Sequence, residues 1–242
     1  MKGIHQIEWE AHRREAGTRT FPKSLPAGII PLQPRKAKTS GLSSAVFGYL
    51  PYWERTTAPP YFRYELLSHI ALFDFSVSTD GKISAFPPGW PGDWTATMNN
   101  AHANGVKVIM CVVEFNNDDI HALLNSSTAS QTFYEEVASV IRDYHLDGVN
   151  IDFEGLHTAD RGDPVNHFMQ GLRDHLHTNI GPEQEISFAG PAVNWSGWDL
   201  PGLAEAVITF SSWATITGGA VPPPPAPARP LKVQLTIWYR PL

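Results

Sequence analysis

Two carboxylates, Asp152 and Glu154, stand two positions apart in a segment whose pattern predicts a buried β-strand over residues 146–155. Apolar and polar residues alternate along it, so the polar side chains leave one face of the strand together. The apolar set is Val149, Ile151 and Phe153, and the polar set is Asn150, Asp152 and Glu154. Two like charges are costly to desolvate, so this spacing favours a cleft over an ordinary packed strand. A half-exposed edge strand is the alternative.

The segments on either side of this strand predict a barrel, because each carries the apolar stripe of an amphipathic helix. The preceding stripe is Phe133, Val137, Val140, Ile141 and Tyr144, and the following one is Val165, Phe168, Met169, Leu172 and Leu176. Helix, strand and helix with short connections favour a parallel sheet. The expected fold class is therefore α/β, a (β/α)8 TIM barrel. Glu154 would lie at the carboxyl end of its strand, where the catalytic mouth of such barrels opens.

The run from Asp147 to Glu154, D-G-x-N-x-D-x-E, resembles the signature of the family 18 glycoside hydrolases (chitinases and related N-acetylglucosaminidases), normally D-x-x-D-x-D-x-E. Asp147, Asp152 and Glu154 match it. Asn150 departs from the commonest form and resembles the branch that includes bacterial spore-cortex peptidoglycan hydrolases. Further segments resemble strands one, two, three and five of that family: residues 46–53, 69–75 with 80–83, 106–115 and 186–195. The resemblance covers roughly residues 45–206.

The resemblance implies hydrolysis of β-1,4-linked N-acetylglucosamine glycans, of the chitin or peptidoglycan type, by a retaining, substrate-assisted mechanism. Glu154 would protonate the glycosidic oxygen while the acetamido oxygen of the substrate attacks the anomeric carbon, giving an oxazolinium ion. Asp152 would orient the acetamido N–H and stabilise the developing positive charge. Asn150 is the third catalytic candidate, because its amide could donate a hydrogen to Asp152 without adding a third charge.

Other residues of the resemblance have supporting roles. Asp147 and Gly148 are expected to hold the start of the strand rather than to touch sugar. Aromatic residues near predicted strand ends or loops are candidates for substrate binding: Tyr49, Trp53 and Trp195, with Trp90 and Trp94 also considered. Core packing is the ordinary alternative for each of them. Two other functions stay open, a non-catalytic chitinase-like sugar-binding protein and an inactive fragment of the hydrolase; retention of Glu154 speaks against the first, since such lectins typically lose the acid.

Composition narrows the class of protein. The 242 residues are 42% hydrophobic and 17% charged, which is globular, and a net charge of −6 with a pI near 5.9 argues against a nucleic-acid partner. The single Cys111 is expected to be a buried thiol, and no metal or cofactor is predicted. No membrane span or signal peptide is visible. The resemblance nevertheless favours an extracellular or cell-envelope location, and a monomer if the barrel is complete.

Three regions are expected along the chain. Residues 1–44 form a Pro-rich, basic lead-in with one short helix over residues 8–16, and residues 45–206 form the partial catalytic barrel. Residues 207–242 predict an aberrant tail, because the family's sixth-strand motif M-x-Y-D is missing where it is due. Back-translation from position 207, starting one base earlier, can spell DYFFIMGYDYWWSG, so we expect a frameshift that leaves about strands one to five and removes strands six to eight.

Overall fold

The protein forms a curled parallel sheet covered by helices. The computed structural model describes residues 3–17, 33–37, 42, 45–191, 197–207, 209–213 and 235–237. Seven of its strands are parallel neighbours in the order β7-β6-β5-β4-β2-β1-β8. The strands are β1 Val46–Pro51, β2 His69–Val77, β3 Ile83–Ala85, β4 Lys107–Glu114, β5 Gly148–Phe153, β6 Glu185–Pro191, β7 Thr209–Trp213 and β8 Leu235–Ile237, with β3 antiparallel to the end of β2.

Amphipathic helices connect the strands and cover the outside of the sheet. They are α2 Gly92–Ala103, α3 Asn117–Leu124, α4 Ser127–Tyr144, α5 Asp163–Asn179 and α6 Leu200–Ala206. The expected stripes on α4 and α5 are buried in one large core against β5. The Ser126 side chain caps α4 by accepting a hydrogen bond from the backbone N–H of Ala129, and His145 ends it in the left-handed conformation. None of the helices in the described ranges is long and apolar enough to cross a membrane.

The alternation along β5 separates two cores, as the sequence predicts. Val149, Ile151 and Phe153 belong to the outer core, between sheet and helices. A smaller inner core lies on the opposite face of the sheet and contains Phe47, Tyr49, Ala71, Phe73, Ile109, Cys111 and Val113. Cys111 is a buried free thiol there, as expected. The partial (β/α)8 barrel is thus confirmed.

The region after residue 207 differs from the expectation that strands end at about the fifth. Thr209–Trp213 pairs in parallel with β6 at the position of a sixth barrel strand, and Leu235–Ile237 pairs in parallel with β1. Some Cα atoms of β7 and β8 approach within 8 Å, so the sheet curls back towards itself. The expectation of no strand in this region is therefore wrong. Apolar and β-branched residues such as Ile208, Thr209 and Phe210 favour a strand whether or not the M-x-Y-D motif is present.

The N-terminal region differs more strongly. A helix, α1, runs over Ile4–His12 and continues as a 3-10 turn over Arg13–Ala16. The expected helix over residues 8–16 thus begins four residues too late. Residues 3–16 are also more than a lead-in, because they lie in the mouth of the barrel rather than beside its first strand.

Candidate active site

Asp152 and Glu154 lie together where the sheet opens at the carboxyl ends of its strands. Asp152 is the penultimate residue of β5, and Glu154 directly follows the strand. Their relative exposures are 0% and 1%, so both carboxylates are removed from solvent. The preceding inward-facing residue, Asn150, contacts the inner core, which places all three polar side chains on the inner face as the alternation predicts.

The environment of Glu154 favours its protonated form. Burial and, second, the charge of Asp152 raise the pKa of Glu154 to about 7. The imidazole of His5 and the backbone N–H groups of Gln6 and His5 act in the opposite direction. A carboxyl group with a pKa near 7 is suited to give up a proton at neutral or mildly acidic pH.

Asn150 is tied to the barrel interior and not to Asp152. Its amide nitrogen donates a hydrogen bond to Ser187 Oγ at 2.9 Å. Its carbonyl oxygen accepts hydrogen bonds from Tyr49 OH at 3.0 Å and from the Cys111 thiol at 3.4 Å. The expected hydrogen bond from Asn150 to Asp152 is therefore wrong. The Asn150 amide instead links β5 to β1, β4 and β6, and Asn150 and Asp152 are only neighbours on the same strand.

The aromatic candidates divide into two groups. Tyr49 is inside the barrel with its hydroxyl on Asn150, and the partly buried Trp53 lies beside Phe73 with ring centroids 5.9 Å apart. Trp90 and Trp94 belong to the outer core, where Trp90 packs edge-on against Phe75 and Tyr144 and Trp94 is fully buried. Those two are structural, so suspecting them as cleft residues was wrong. Trp195 lies outside the described residues.

The largest departure from the sequence-based site is His5. Its Nδ1 atom is 2.6 Å from Oδ2 of Asp152, and its ring is 1% exposed. Burial alone would lower the pKa of His5, but the charge and hydrogen bond of Asp152, with the charge of Glu154, raise it above its usual value. These two acids thus shift His5 towards its charged form, with Nδ1 2.6 Å from Asp152 and 4.0 Å from Glu154.

The backbone at the start of α1 also contacts the acid. The N–H groups of Gln6 and His5 donate hydrogen bonds to the Glu154 carboxylate at 2.9 and 3.3 Å. Gly3, the residue before the helix, has no side chain that caps it. Glu154 supplies the missing cap from a strand about 150 positions away in sequence, at the end of the helix where a negative charge is stabilised.

A third acidic residue shares the mouth. Asp74, fully buried near the end of β2, accepts a hydrogen bond from the indole N–H of Trp9 at 3.0 Å. Asp74 was part of a strand in the sequence analysis but received no role. An acid within a strand made mostly of apolar residues is the pattern that could have identified it.

The side chains of His5, Asp152 and Glu154 form the one group of metal-ligand type found among the described residues. Two ligands of a tetrahedral ion at about 2.05 Å from the metal are separated by roughly 3.3 Å. The Nδ1–Oδ2 distance of 2.6 Å is shorter, and it matches a charge-assisted hydrogen bond. As placed, His5 and Asp152 form a hydrogen-bonded pair beside the carboxyl group of Glu154.

The opposite end of the strands carries Asp147 and Gly148. Asp147 accepts hydrogen bonds from the backbone N–H of Val108 at 2.8 Å and from His102 Nε2 at 2.9 Å, and it pairs with Arg35. Gly148 has φ of +150°, and a Cβ added there would lie 2.0 Å from the carbonyl oxygen of Glu185. Both residues thus hold the start of β5, away from the mouth.

A parallel βα sheet that curls on itself, with acidic side chains gathered at the carboxyl ends of its strands, defines the class of barrel proteins whose sites lie at that end. Residues 45–216 match the family model described as glycosyl hydrolases family 18. The chain belongs to this family. The match extends past residue 206, where the sequence motifs alone placed the end of the resemblance.

Known relatives share the fold at low sequence identity. Over 250 aligned residues the chain is 24% identical to the putative sporulation-specific glycosylase YdhD of Bacillus subtilis, covering 93% of the chain and 54% of that protein. It superposes on a chitinase from Bacteroides thetaiotaomicron with a TM-score of 0.60, 18% identity and coverage of 72% and 55% of the two chains. It superposes on the spore cortex-lytic enzyme SleL of Bacillus megaterium with a TM-score of 0.58 and 19% identity, covering 90% of this chain and 53% of that one. The chain thus spans about half the length of these relatives.

Proposed function

We propose that this protein, once the reading frame after codon 207 is restored, hydrolyses β-1,4-linked N-acetylglucosamine glycans with retention of configuration at the anomeric carbon. The observation that carries the proposal is the pairing of two buried carboxylates at the barrel mouth, with the pKa of Glu154 raised to about 7. One group of the pair can then be an acid while the other stays a hydrogen-bond acceptor. Membership of family 18 supports glycoside hydrolysis as the reaction type.

In the proposed reaction Glu154 gives its proton to the glycosidic oxygen as the bond to the leaving sugar breaks. The acetamido oxygen of the substrate attacks the anomeric carbon from the other side and closes an oxazolinium ring. Asp152 accepts a hydrogen bond from the acetamido N–H and stabilises the positive charge of the oxazolinium ring. Water, deprotonated by Glu154, then opens the ring, which returns the anomeric carbon to its original configuration. Asn150 and Tyr49 hold the inner face of β5 in place through their hydrogen bond.

The glycan is proposed to be chitin or peptidoglycan, and action outside the cytoplasm or at the cell envelope follows from either. Relatives described as a sporulation-specific glycosylase and as spore cortex-lytic enzymes favour peptidoglycan. Relatives described as chitinases favour chitin.

Zymography on embedded chitin and on embedded peptidoglycan tests the proposal. It compares the 242-residue chain with a frame-restored chain, in which the bases after codon 207 are read in the neighbouring frame. Clearing by the frame-restored chain, and its loss on Glu154→Gln, is the expected result. Sugar binding without clearing would overturn hydrolysis in favour of the lectin function.

A further inference from the structure

The mouth segment, residues 3–16, occupies the space in front of the proposed catalytic residues. We infer that it is a built-in occupant of the catalytic site, in which the His5 side chain stands in for the cationic reaction intermediate. Glycans would then reach Asp152 and Glu154 only after the segment leaves. The nature of the excluded ligand rests on the proposed function, whereas the occupancy itself does not.

Each of the three acidic groups in the mouth receives a hydrogen bond from this one segment. Asp152 accepts a hydrogen bond from His5 Nδ1, and Glu154 accepts one from each of two backbone N–H groups. Asp74 accepts a hydrogen bond from the indole N–H of Trp9. An imidazole, the N–H groups at the start of α1 and an indole N–H thus each lie opposite one of three buried acids. The hydrogen-bond donors of His5, Gln6 and Trp9 are therefore complementary to the three acids that they meet.

The ring of His5 has the chemistry of the proposed intermediate. A protonated imidazole and an oxazolinium ion are both planar five-membered cations with an N–H that can point at a carboxylate. In the structure that N–H position is 2.6 Å from Asp152, the residue proposed to accept the acetamido N–H. The ring centroid also lies 4.6 Å from that of Tyr49 and 6.0 Å from that of Phe73, so aromatic groups surround the cation.

Trp53, a candidate for sugar binding next to the carboxylates, is also covered by the segment. The imidazole of His12 stacks on the indole of Trp53 with a centroid distance of 4.3 Å and an interplanar angle of 9°. The carbonyl of His12 accepts a hydrogen bond from Tyr52 OH at 2.8 Å, which fixes the end of α1. A sugar face and the His12 ring therefore compete for one surface.

Gly3 shows how closely the segment approaches the acid. A Cβ built on Gly3 would lie 2.2 Å from the carboxyl carbon of Glu154. Any larger residue at position 3 must displace either the segment or the Glu154 carboxyl group. Ile7, by contrast, lies on the outward side of the same helix with 49% exposure, which makes it a matched control position.

The test measures the access of solvent reagents to Glu154 in the full 242-residue chain. Glu154 is labelled with a water-soluble carbodiimide and glycinamide and followed by peptide mass spectrometry in the parent, His5→Ala, Gly3→Leu and Ile7→Ala. Removing the cation or inserting a side chain should speed labelling at least tenfold. Ile7→Ala should label within twofold of the parent.

Equal labelling in all four proteins would overturn the inference, whatever their sugar binding. Circular dichroism accompanies the labelling; if both His5→Ala and Gly3→Leu unfold the chain, the segment is part of the core and the inference is equally overturned. Calorimetric titration with the N-acetylglucosamine tetramer is a separate measurement, made on the frame-restored chain with the same substitutions, because residues 207–242 lack the M-x-Y-D motif. Faster labelling with at least tenfold tighter tetramer binding supports both proposals, whereas faster labelling without tetramer binding supports the occupant and counts against the proposed substrate.

Discussion

At the scale of single residues, the two carboxylates of the mouth differ because their partners differ. Oδ2 of Asp152 lies 2.6 Å from Nδ1 of His5, the length of a charge-assisted hydrogen bond. Glu154 is buried beside that negative charge, and two backbone N–H groups only partly offset the effect. Burial and the charge of Asp152 raise the pKa of Glu154 more than His5 and the two N–H groups lower it, so Glu154 is the carboxyl group suited to act as an acid.

Replacing Glu154 by Gln should abolish hydrolysis in the frame-restored chain while leaving sugar binding nearly intact. The shape of the side chain is kept, and only the transferable proton is lost. Turnover of an N-acetylglucosamine oligomer and its dissociation constant are measured side by side. Residual turnover within tenfold of the parent would sink the assignment of Glu154 as the acid.

Asp152→Asn should lower kcat on the order of 100-fold or more, since one group aimed at developing charge is typically worth this much. Thiazoline mimics of the oxazolinium ion should inhibit the frame-restored chain, and the inhibition should weaken in the same variant. Trapping of a covalent glycosyl-enzyme, without inhibition by thiazolines, would show that the substrate's acetamido group is not the nucleophile.

The activity of the frame-restored chain should fall as pH rises through the pKa of Glu154, which burial and then the charge of Asp152 raise above the usual value of a glutamate. An acid must carry its proton, so the protonated fraction is full below that pKa and falls about tenfold per pH unit above it. A profile of kcat/KM from pH 4 to pH 10 measures this descending limb. A profile that stays flat to pH 9 would contradict the assigned role.

At the scale of elements, the sequence predicts a strand or helix correctly where the residues that determine it lie within that segment. The alternation around Asp152 specifies both the strand and its inward face, and the stripe on α4 specifies the helix that covers it. The start of α1 could not be found in this way, because Gly3 gives no cap and Glu154 provides one from a distant strand. Trp90 was misassigned because an indole in a loop fits a core and a cleft equally well.

The ionic contacts of Glu185 with His69 and Lys107, at the amino ends of the strands, predict how the stability of the fold depends on pH. Glu185 at the start of β6 is buried, which would raise its pKa, but His69 and Lys107 outweigh burial and hold the pKa at about 2. A carboxyl group whose folded pKa lies below its unfolded value stabilises the fold above about pH 4.5. That contribution, about 3 kcal/mol, is lost as pH falls from 4.5 towards 2.

Glu185→Gln should therefore cost roughly 2–4 kcal/mol of unfolding free energy at pH 7, because Lys107 loses its buried partner. The cost should shrink at pH 2.5, where the parent has lost most of the same contribution. Urea unfolding at both pH values measures it, with exposed Glu183→Gln as the control. An equal cost at both pH values would indicate a packing effect instead.

At the scale of the whole molecule, the barrel and the tail are governed by different constraints. Strands β1 to β6 and their helices form a continuous double core, whereas β7 and β8 add backbone pairing at the two edges. Pairing needs only extended segments, so a stretch read in either frame can supply it. Chemistry needs particular side chains, and the M-x-Y-D expected by resemblance to hold the acetamido group is not among residues 207–242.

The 242-residue chain should therefore be inactive on N-acetylglucosamine oligomers, even though Asp152 and Glu154 are both in place. Positioning of the acetamido group can supply several kcal/mol of barrier lowering, so its loss alone would reduce turnover by orders of magnitude. Restoring the neighbouring frame after codon 207 should return M-G-Y-D to the sixth strand and give an active enzyme. The gene's nucleotide sequence around that codon provides the first check, and an activity assay on both proteins provides the second. A neighbouring frame without the motif, or a cooperative and active 242-residue chain, would show that residues 207–242 belong to the native barrel.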